Sequence, residues 1–142
     1  MIIKQVSIFV ENKTGSMAEV LDILGNNNID LNALSIADTT DFGILRLIVS
    51  DPNKAEKILK ENGMVVKLTD VIAVGIEDKP GSLSKILDIL KNNAIEIDYM
   101  YAFIGKSNTG ALVILKLSDP AKATELLKSN SIQVVYASEI YN

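Results

Sequence analysis

The stretch that decides the fold is Val10-Glu11-Asn12-Lys13-Thr14-Gly15-Ser16-Met17, because a related stretch, Ile76-Glu77-Asp78-Lys79-Pro80-Gly81-Ser82-Leu83, follows 66 residues later. The same spacing carries Leu21-Asp22-Ile23-Leu24 onto Leu87-Asp88-Ile89-Leu90. Ser50-Asp51-Pro52 then returns as Ser118-Asp119-Pro120 after 68 residues, which places a two-residue insertion near 106–109. Ordered matches at a nearly fixed spacing indicate an internal duplication. We therefore divide the chain into two related domains, residues 1–69 and 70–142.

Each repeat has the predicted order strand–helix–strand–strand–helix–strand. In the first repeat, Ile- and Val-rich segments predict strands over 2–11, 29–38, 44–49 and 64–68. Apolar spacing predicts a helix up to residue 27, and Asp51 followed by Pro52 predicts the start of a second. The matching elements of the second repeat are strands over 71–77, 95–104, 110–117 and 132–138, with helices over 81–93 and 120–129. This order predicts an α+β fold with antiparallel four-stranded units and both helices on one sheet face.

The opposite, helix-free face of each sheet is expected to carry apolar side chains. Strict alternation along the second strands predicts five of them, namely Leu34, Ile36, Met100, Ala102 and Ile104. Such apolar surface usually marks an interface. We therefore expect a homodimer whose sheet faces pack together.

Composition excludes several functional classes. The 142 residues include 14 basic and 18 acidic side chains, for a net charge of −4, so a nucleic-acid partner is not expected. Cysteine and histidine are both absent, which removes thiol chemistry and the commonest general base and metal ligand. No apolar run approaches the ~20 residues that span a bilayer, and the first residues lack a signal-peptide pattern. We expect a cytoplasmic protein without a metal or cofactor that is neither an enzyme nor a membrane protein.

The turn between the first strand and first helix of each repeat is the strongest candidate site. A glycine lets the backbone approach a ligand closely, and the amides at a helix N-terminus favour a carboxylate. The alternative is that Asp78, Ser82 and their counterparts only cap the helix.

A second candidate lies at the start of the second strands. Asp30 and Asn32 in the first repeat, and Glu96 and Asp98 in the second, are each spaced two apart and so should share a face. A carboxylate here could hold a ligand ammonium group while the helix amides hold its carboxylate. The alternative is that these residues are polar side chains on a half-exposed strand.

The repeats also differ in aromatic content. The second repeat has Tyr99, Tyr101 and Phe103 on one strand face. The corresponding residues of the first repeat are Ala33, Ser35 and Ala37. We interpret the aromatic residues as core or interface filling, or alternatively as a wall that makes the second pocket different from the first.

Residues 78–83 between a first strand and a first helix of a βαββαβ unit resemble the corresponding loop of the ACT domain family. The resemblance covers both repeats and implies two ferredoxin-like ACT units, side by side, in an eight-stranded antiparallel sheet. It also implies an amino-acid ligand at the interface between the paired domains. The residues implied at one site are Asn12, Lys13, Gly15, Ser16, Met17, Glu96 and Asp98. Those implied at the other site are Asp78, Lys79, Gly81, Ser82, Leu83, Asp30 and Asn32. The first repeat departs from the family pattern at Thr14, where the second has Pro80, and at Asn12, where the second has Asp78.

The leading functional hypothesis is a regulatory protein that binds an amino acid or a similar small zwitterion and acts on a partner. One alternative is a regulatory subunit of an amino-acid biosynthetic enzyme such as acetolactate synthase. A second is an enzyme that uses carboxylates and Tyr99 or Tyr101. A third is a structural dimer whose pockets bind nothing.

Overall fold

The computed structural model describes residues 2–38, 41–102 and 111–140 of the chain. The expected insertion at 106–109, Phe103 and Ile104 lie outside this part. The elements in chain order are β1 (Ile3–Glu11), α1 (Ser16–Asn26), β2 (Leu31–Asp38), β3 (Phe42–Val49), α2 (Pro52–Glu61), β4 (Val65–Ile76), α3 (Ser82–Asn92), β5 (Ile97–Ala102), β6 (Ala111–Leu117), α4 (Pro120–Ser129), β7 (Val134–Val135) and α5 (Ala137–Ile140).

The described chain divides into two compact units, one formed by residues 4–69 and the other by residues 2–3 and 70–140. In the first unit the strands lie in the order β2-β3-β1-β4. In the second unit the order is β5-β6-β4-β7, and the strand pairs with a described register are antiparallel. Each unit therefore has the predicted βαββαβ arrangement, and the predicted α+β fold class is confirmed.

The described residues form seven strands, whereas the sequence predicted eight. The reason is β4, which runs from Val65 to Ile76 without a break. Its first part serves as the fourth strand of the first repeat, and residues 72–76 pair with β6 as the first strand of the second repeat. No glycine or proline interrupts 65–74, which permits a continuous strand once both parts are paired.

Both helices of each repeat pack on the same sheet face, as predicted. In the first repeat, alternate residues of β1 and β3 form one core with residues of α1 and α2. This core includes Val6, Ile8, Val10, Leu45, Leu47, Val49, Val20, Leu24, Ala55 and Leu59. The second repeat builds a matching core that includes Ile72, Val74, Val113, Leu115, Ile86, Leu90, Ala123 and Leu127.

The prediction of which side chains in the second strands point away from the helices is wrong. An extra residue bulges from β2 between Leu31 and Ala33, and another bulges from β5 between Ile97 and Tyr99. A one-residue shift moves every later side chain to the opposite face.

The side chains after the bulges therefore face the helices. Leu34 and Ile36 lie opposite Leu47 and Leu45 of the first core. Met100 and Ala102 likewise lie opposite Leu115 and Val113 of the second core.

The predicted length of the last strand, 132–138, is also wrong. The structure has only Val134–Val135 in β7, followed by the short helix α5. The carboxylate of Glu139 accepts a hydrogen bond from the amide of Tyr136 at 2.8 Å, and the Glu139 amide donates to the Tyr136 carbonyl at 3.0 Å. This reciprocal pair stabilises a helix start where the apolar pattern predicted a strand.

Candidate functional site

The helices of this chain begin in two different ways. In α2 the Asp51 carboxylate accepts from the Lys54 amide, and in α4 the Asp119 carboxylate accepts from the Lys122 amide, both at 3.0 Å. A proline occupies the first turn of each. These two helices therefore have the side-chain caps that the sequence predicted.

Helices α1 and α3 begin instead at a left-handed glycine. Gly15 and Gly81 both have a φ of 87°. In the part of the chain that the structure describes, no side chain caps either helix. The alternative that Asp78, Ser82 and their counterparts serve only as caps is thus not what the structure shows.

The two turns before these helices share one backbone geometry. The Lys13 amide donates to the Glu11 carbonyl at 2.9 Å, and the Ser16 amide donates to the Lys13 carbonyl at 3.3 Å. The second turn repeats both bonds at the same distances, from Lys79 to Glu77 and from Ser82 to Lys79. Because an α-helix provides no acceptor for its first amides, the next amides in each helix point out of the N-terminus without an intrahelical partner.

A buried serine hydroxyl lies at each of these helix starts. Ser16 is 9% exposed. The Oγ atoms of Ser16 and Ser82 are both buried, and neither has a hydrogen-bond partner among the described residues. An unsatisfied buried hydroxyl is costly and requires an explanation. A polar group that is supplied by a ligand would satisfy it.

A cavity of about 870 Å³ opens at the turn of the second repeat. Its polar wall contains Lys79, Ser82 and Lys85 on the side of α3, with Gln133 and Glu139 contributed by the end of the chain. The apolar residues Ile76, Ile86, Leu112, Ile132 and Val135 also line it. A volume of this size is in the range of ligand-binding sites.

The charges at this cavity include one tight ion pair. Lys79 Nζ lies 2.7 Å from Glu77 Oε2. The hydrogen bond to Lys79 and then its charge lower the pKa of Glu77, with a smaller contribution from the charge of Lys85. The same bond and the charge of Glu77 raise the pKa of Lys79. Both side chains are exposed, so this ion pair contributes little to the stability of the fold.

A second cavity of about 400 Å³ opens at the turn of the first repeat. Asn12, Lys13, Ser16 and Met17 line it from the turn and α1. On the other side lie Val10, Ile36, Asp38 and Gly43 from the adjoining strands. Both repeats thus place their glycine–serine turn beside a cavity.

Seven of the fourteen predicted site residues line these cavities, namely Asn12, Lys13, Ser16, Met17, Lys79, Gly81 and Ser82. Gly15, Asp78 and Leu83 belong to the same turns but do not line the cavities in the structure. The remaining four, Asp30, Asn32, Glu96 and Asp98, do not line either cavity among the described residues.

The four strand-start residues have structural interactions of their own. The Asp30 and Glu96 amides donate to Ser50 Oγ at 2.9 Å and Ser118 Oγ at 3.0 Å. Asp98 lies 3.4 Å from Lys116 Nζ. Their role as ligand contacts for the other repeat stays a prediction.

Sequence reasoning missed the residues that lie far along the chain from the turns. In the first repeat these are Ile36, Asp38 and Gly43, and in the second they are Gln133 and Glu139. No local motif marks them, because the sheet topology alone brings them beside the turn.

The aromatic side chains of β5 do not line the second cavity. Tyr99 and Tyr101 are stacked, with ring centroids 6.5 Å apart and planes at 13°. They pair with Lys116 and Ile114, on the sheet face opposite to the helices. This arrangement agrees with a packing role, and the third member, Phe103, lies outside the described residues.

The described ranges contain neither a cluster of metal-binding side chains nor a helix that could cross a membrane. No group of three or more His, Cys, Asp or Glu side chains that could hold a metal ion occurs there. Over the same residues, no helix has the length and apolar character needed to cross a membrane.

Comparison with known proteins gives a consistent result. A family model described as an ACT domain pair matches residues 1–142, and a comparison with curated proteins finds no match. The crystal structure of protein BT0572 from Bacteroides thetaiotaomicron is similar at 44% identity and a TM-score of 0.93, over 100% of this chain and 97% of that one. The regulatory subunits of aspartate kinase from Thermus thermophilus and Thermus flavus are 14% and 17% identical.

The two Thermus structures show a shared fold. Their TM-scores are 0.63 and 0.59, over 89% and 87% of this chain and 90% and 88% of those chains. ACT domains are a regulatory, ligand-binding fold. The duplicated βαββαβ unit, the matching glycine–serine turns and the full-length family match lead to one assignment: the chain belongs to the family of ACT domain pairs.

Proposed function

We propose that this protein senses a free amino acid or a similar small zwitterion at its glycine–serine turns and regulates a partner in response. The observation that carries this proposal is the difference between the helix starts. Two helices have aspartate caps, whereas among the described residues α1 and α3 have no such cap and have instead a buried serine hydroxyl without a partner.

A ligand carboxylate suits these turns for three reasons. It would accept hydrogen bonds from the outward-pointing helix amides, it would lie at the positive end of the helix dipole, and it would accept from the serine hydroxyl. The cavity of the second repeat also has Lys79 and Lys85 in its lining. These donors are complementary to a carboxylate, and Glu77 and Glu139 in the same lining balance the two lysines, which suits a zwitterionic ligand.

The ammonium group of the ligand needs an acidic partner. The ACT resemblance proposes Glu96 and Asp98 for the site of the first repeat, and Asp30 and Asn32 for the site of the second. Regulation would follow if the ligand binds one conformation of the protein more tightly than another, since only differential affinity shifts an equilibrium.

A thermal-shift screen of the purified protein against the twenty amino acids tests this function. A ligand at about 100 times its dissociation constant should stabilise the protein by roughly 2.7 kcal/mol, or several degrees. We expect the shift to shrink in Ser16→Ala or Ser82→Ala, according to which turn binds the ligand. Ser129→Ala is the matched control, because Ser129 lines neither cavity and its exposed hydroxyl donates to the Leu126 carbonyl. Wild-type protein that responds to none of the twenty would contradict amino-acid sensing.

A second candidate function is that of a regulatory subunit bound to an amino-acid biosynthetic enzyme, acetolactate synthase being one example. The observation that favours it is an exposed aromatic pair on the helix-free face of the first repeat. Phe9 and Phe42 are 46% and 55% exposed and are diagonal neighbours, since Phe9 pairs with Ile44 and Phe42 with Glu11. Exposed aromatic surface favours a protein partner. Co-purification with a larger catalytic chain from the native cell, lost in Phe42→Ser, would support this candidate.

A further inference from the structure

We propose that the cavity of the first repeat binds an aliphatic amino acid and that Asp38, in place of Glu96 and Asp98, holds its ammonium group. This inference rests on the proposed function, because it names the ligand class and a recognition residue for one of the two turns. It depends on three features of the cavity, which are a donor side, an acidic side and an apolar wall.

The donor side is the start of α1. Ser16 lines the cavity, and its Oγ atom is buried without a hydrogen-bond partner among the residues described. The amides of Met17 and Ala18 follow it in the first turn of an 11-residue helix, where helical geometry provides no acceptor for them. These groups together form a site for one carboxylate.

The acidic side is Asp38, at the end of β2. Its Oδ1 atom accepts a hydrogen bond from Asn12 Nδ2 at 2.7 Å, and the Asn12 amide donates to the Asp41 carbonyl at 3.1 Å. The bond from Asn12 holds the Asp38 carboxylate beside the turn through Oδ1, so that Oδ2 can accept from a second donor. Within the described residues, the nearby Lys13 is paired with Glu11 at 3.4 Å. The surplus of acid favours a zwitterion over a purely anionic ligand.

The apolar wall consists of Val10, Met17 and Ile36. Met17 is 43% exposed and Ile36 is 48% exposed, which is unusual for two large apolar side chains that line one cavity. An aliphatic ligand side chain would remove this surface from water, which is favourable. The cavity volume of about 400 Å³ accommodates such a ligand.

The second repeat does not have the same set of residues. At the offset of 66, Ile36 corresponds to Ala102, Asp38 to Ile104 and Asn12 to Asp78. The amide–carboxylate pair and Ile36 thus belong to the first repeat alone, whereas Val10 and Met17 have the apolar counterparts Ile76 and Leu83. The inferred ammonium contact therefore applies to the first repeat only.

Calorimetric titration with L-leucine and L-alanine tests the inference on the full chain. Asp38→Asn retains the Oδ1 acceptor for Asn12 and removes the charge, so the leucine affinity should fall about tenfold or more. Asp22→Asn, which alters an exposed carboxylate on α1 outside the cavity, is the matched control and should leave the affinity unchanged. Ile36→Ala should weaken leucine at least about fivefold and alanine much less, because leucine alone reaches the apolar wall.

The outcomes separate this inference from the proposed function. Leucine binding that Asp38→Asn and Ile36→Ala both weaken, with circular dichroism melts like the wild type, supports it. If leucine or another amino acid binds and both variants keep the wild-type affinity, the inference is overturned and the proposed function stands. If Asp38→Asn weakens leucine binding and Ile36→Ala does not, the proposal of an aliphatic ligand is overturned. If none of the twenty amino acids binds the wild-type protein, both the inference and the proposed function fail.

Discussion

Gly15 and Gly81 determine the local geometry of the two candidate turns. Each has a φ of 87°, and an added Cβ at either position would meet no heavy atom within 4 Å. Space is therefore available, and the backbone conformation alone disfavours other residues. This property allows the cost of the left-handed conformation to be measured separately from any steric clash.

We predict opposite effects for two alanine substitutions around α1. Gly15→Ala should destabilise the protein by about 1 kcal/mol, because an L-residue is strained at positive φ. Gly25→Ala should stabilise it by about 0.5 kcal/mol or more, because Gly25 lies inside the helix with open space around it. Chemical denaturation of both variants measures the two values. Equal effects of the same sign would contradict the assigned role of Gly15.

The ion pair between Glu77 and Lys79 allows a second prediction for single residues, which concerns the pKa of Glu77. Lys79→Gln should raise the pKa of Glu77 toward its ordinary value, because the hydrogen bond and the charge of Lys79 are the main causes that lower it. Lys85→Gln is the control and should raise the pKa less, since Lys85 acts through its charge alone and is the smallest contribution. An NMR titration of the Glu77 carboxyl group measures both shifts.

The sign of the linked stability effect follows from the lowered pKa. Because the folded-state pKa of Glu77 is below the unfolded value, its contribution is present above the unfolded pKa and is lost as the pH falls through the folded pKa. The Glu77 side chain is 73% exposed, so this contribution is small. Equal pKa shifts in the two lysine variants would show that the hydrogen bond to Lys79 is not the main cause.

At the scale of elements, the four long helices form two pairs. One pair begins with a side-chain cap, and the other pair has no such cap among the described residues. We predict that Asp51→Ala costs about 1 kcal/mol of unfolding free energy, because it removes the bond to the Lys54 amide. Ser16→Ala should cost much less or stabilise the ligand-free protein, because it removes a buried hydroxyl that has no partner among the described residues.

Urea denaturation without added amino acids measures both variants. Asp119→Ala serves as the repeat of the Asp51 experiment, since its cap bond has the same length of 3.0 Å. A Ser16→Ala variant that loses as much stability as Asp51→Ala would mean that the Ser16 hydroxyl has a structural partner.

The bulges of β2 and β5 are the second important feature at this scale. Each bulge adds one residue, Asn32 in β2 and Asp98 in β5, that lies outside the register with the partner strand. The following side chains therefore turn toward the helices, which places Ile36 beside the cavity of the first repeat. A regular strand would have turned Ile36 away from it.

At the scale of the whole molecule, the homodimer stays a prediction, although its original basis was wrong. Leu34, Ile36, Met100 and Ala102 face the helices and cannot form the expected apolar sheet face. Phe9 and Phe42 do lie on the helix-free face of the first repeat and are exposed. They are now the residues on which we base this prediction.

We expect light scattering to give twice the chain mass of 15.4 kDa for the wild-type protein. The double variant Phe9→Ser, Phe42→Ser should have the mass of a monomer, because the exposed aromatic pair would no longer bury apolar surface against a second copy. Leu21→Ser, at an exposed apolar residue of α1, is the control and should remain a dimer. A wild-type mass of 15.4 kDa would contradict the homodimer.

The sequence by itself determined the duplication, the α+β class, the order of elements and the position of the glycine–serine turns. These features depend on local rules, such as a capping aspartate three residues before its amide or a glycine at positive φ. Such rules act within one or two turns of the chain and can therefore be read directly from the spacing.

Only the tertiary structure decided which side chains face the cavities and how many strands form. Asn12 and Asp38 are 26 residues apart and meet only because β2 and β1 both pair with β3. The bulges at Asn32 and Asp98 and the continuity of β4 through 69–70 depend on strand pairing, which has no local signature. Strand register and facing follow from the competition among non-local pairings, and for that reason alternation along one strand did not predict them.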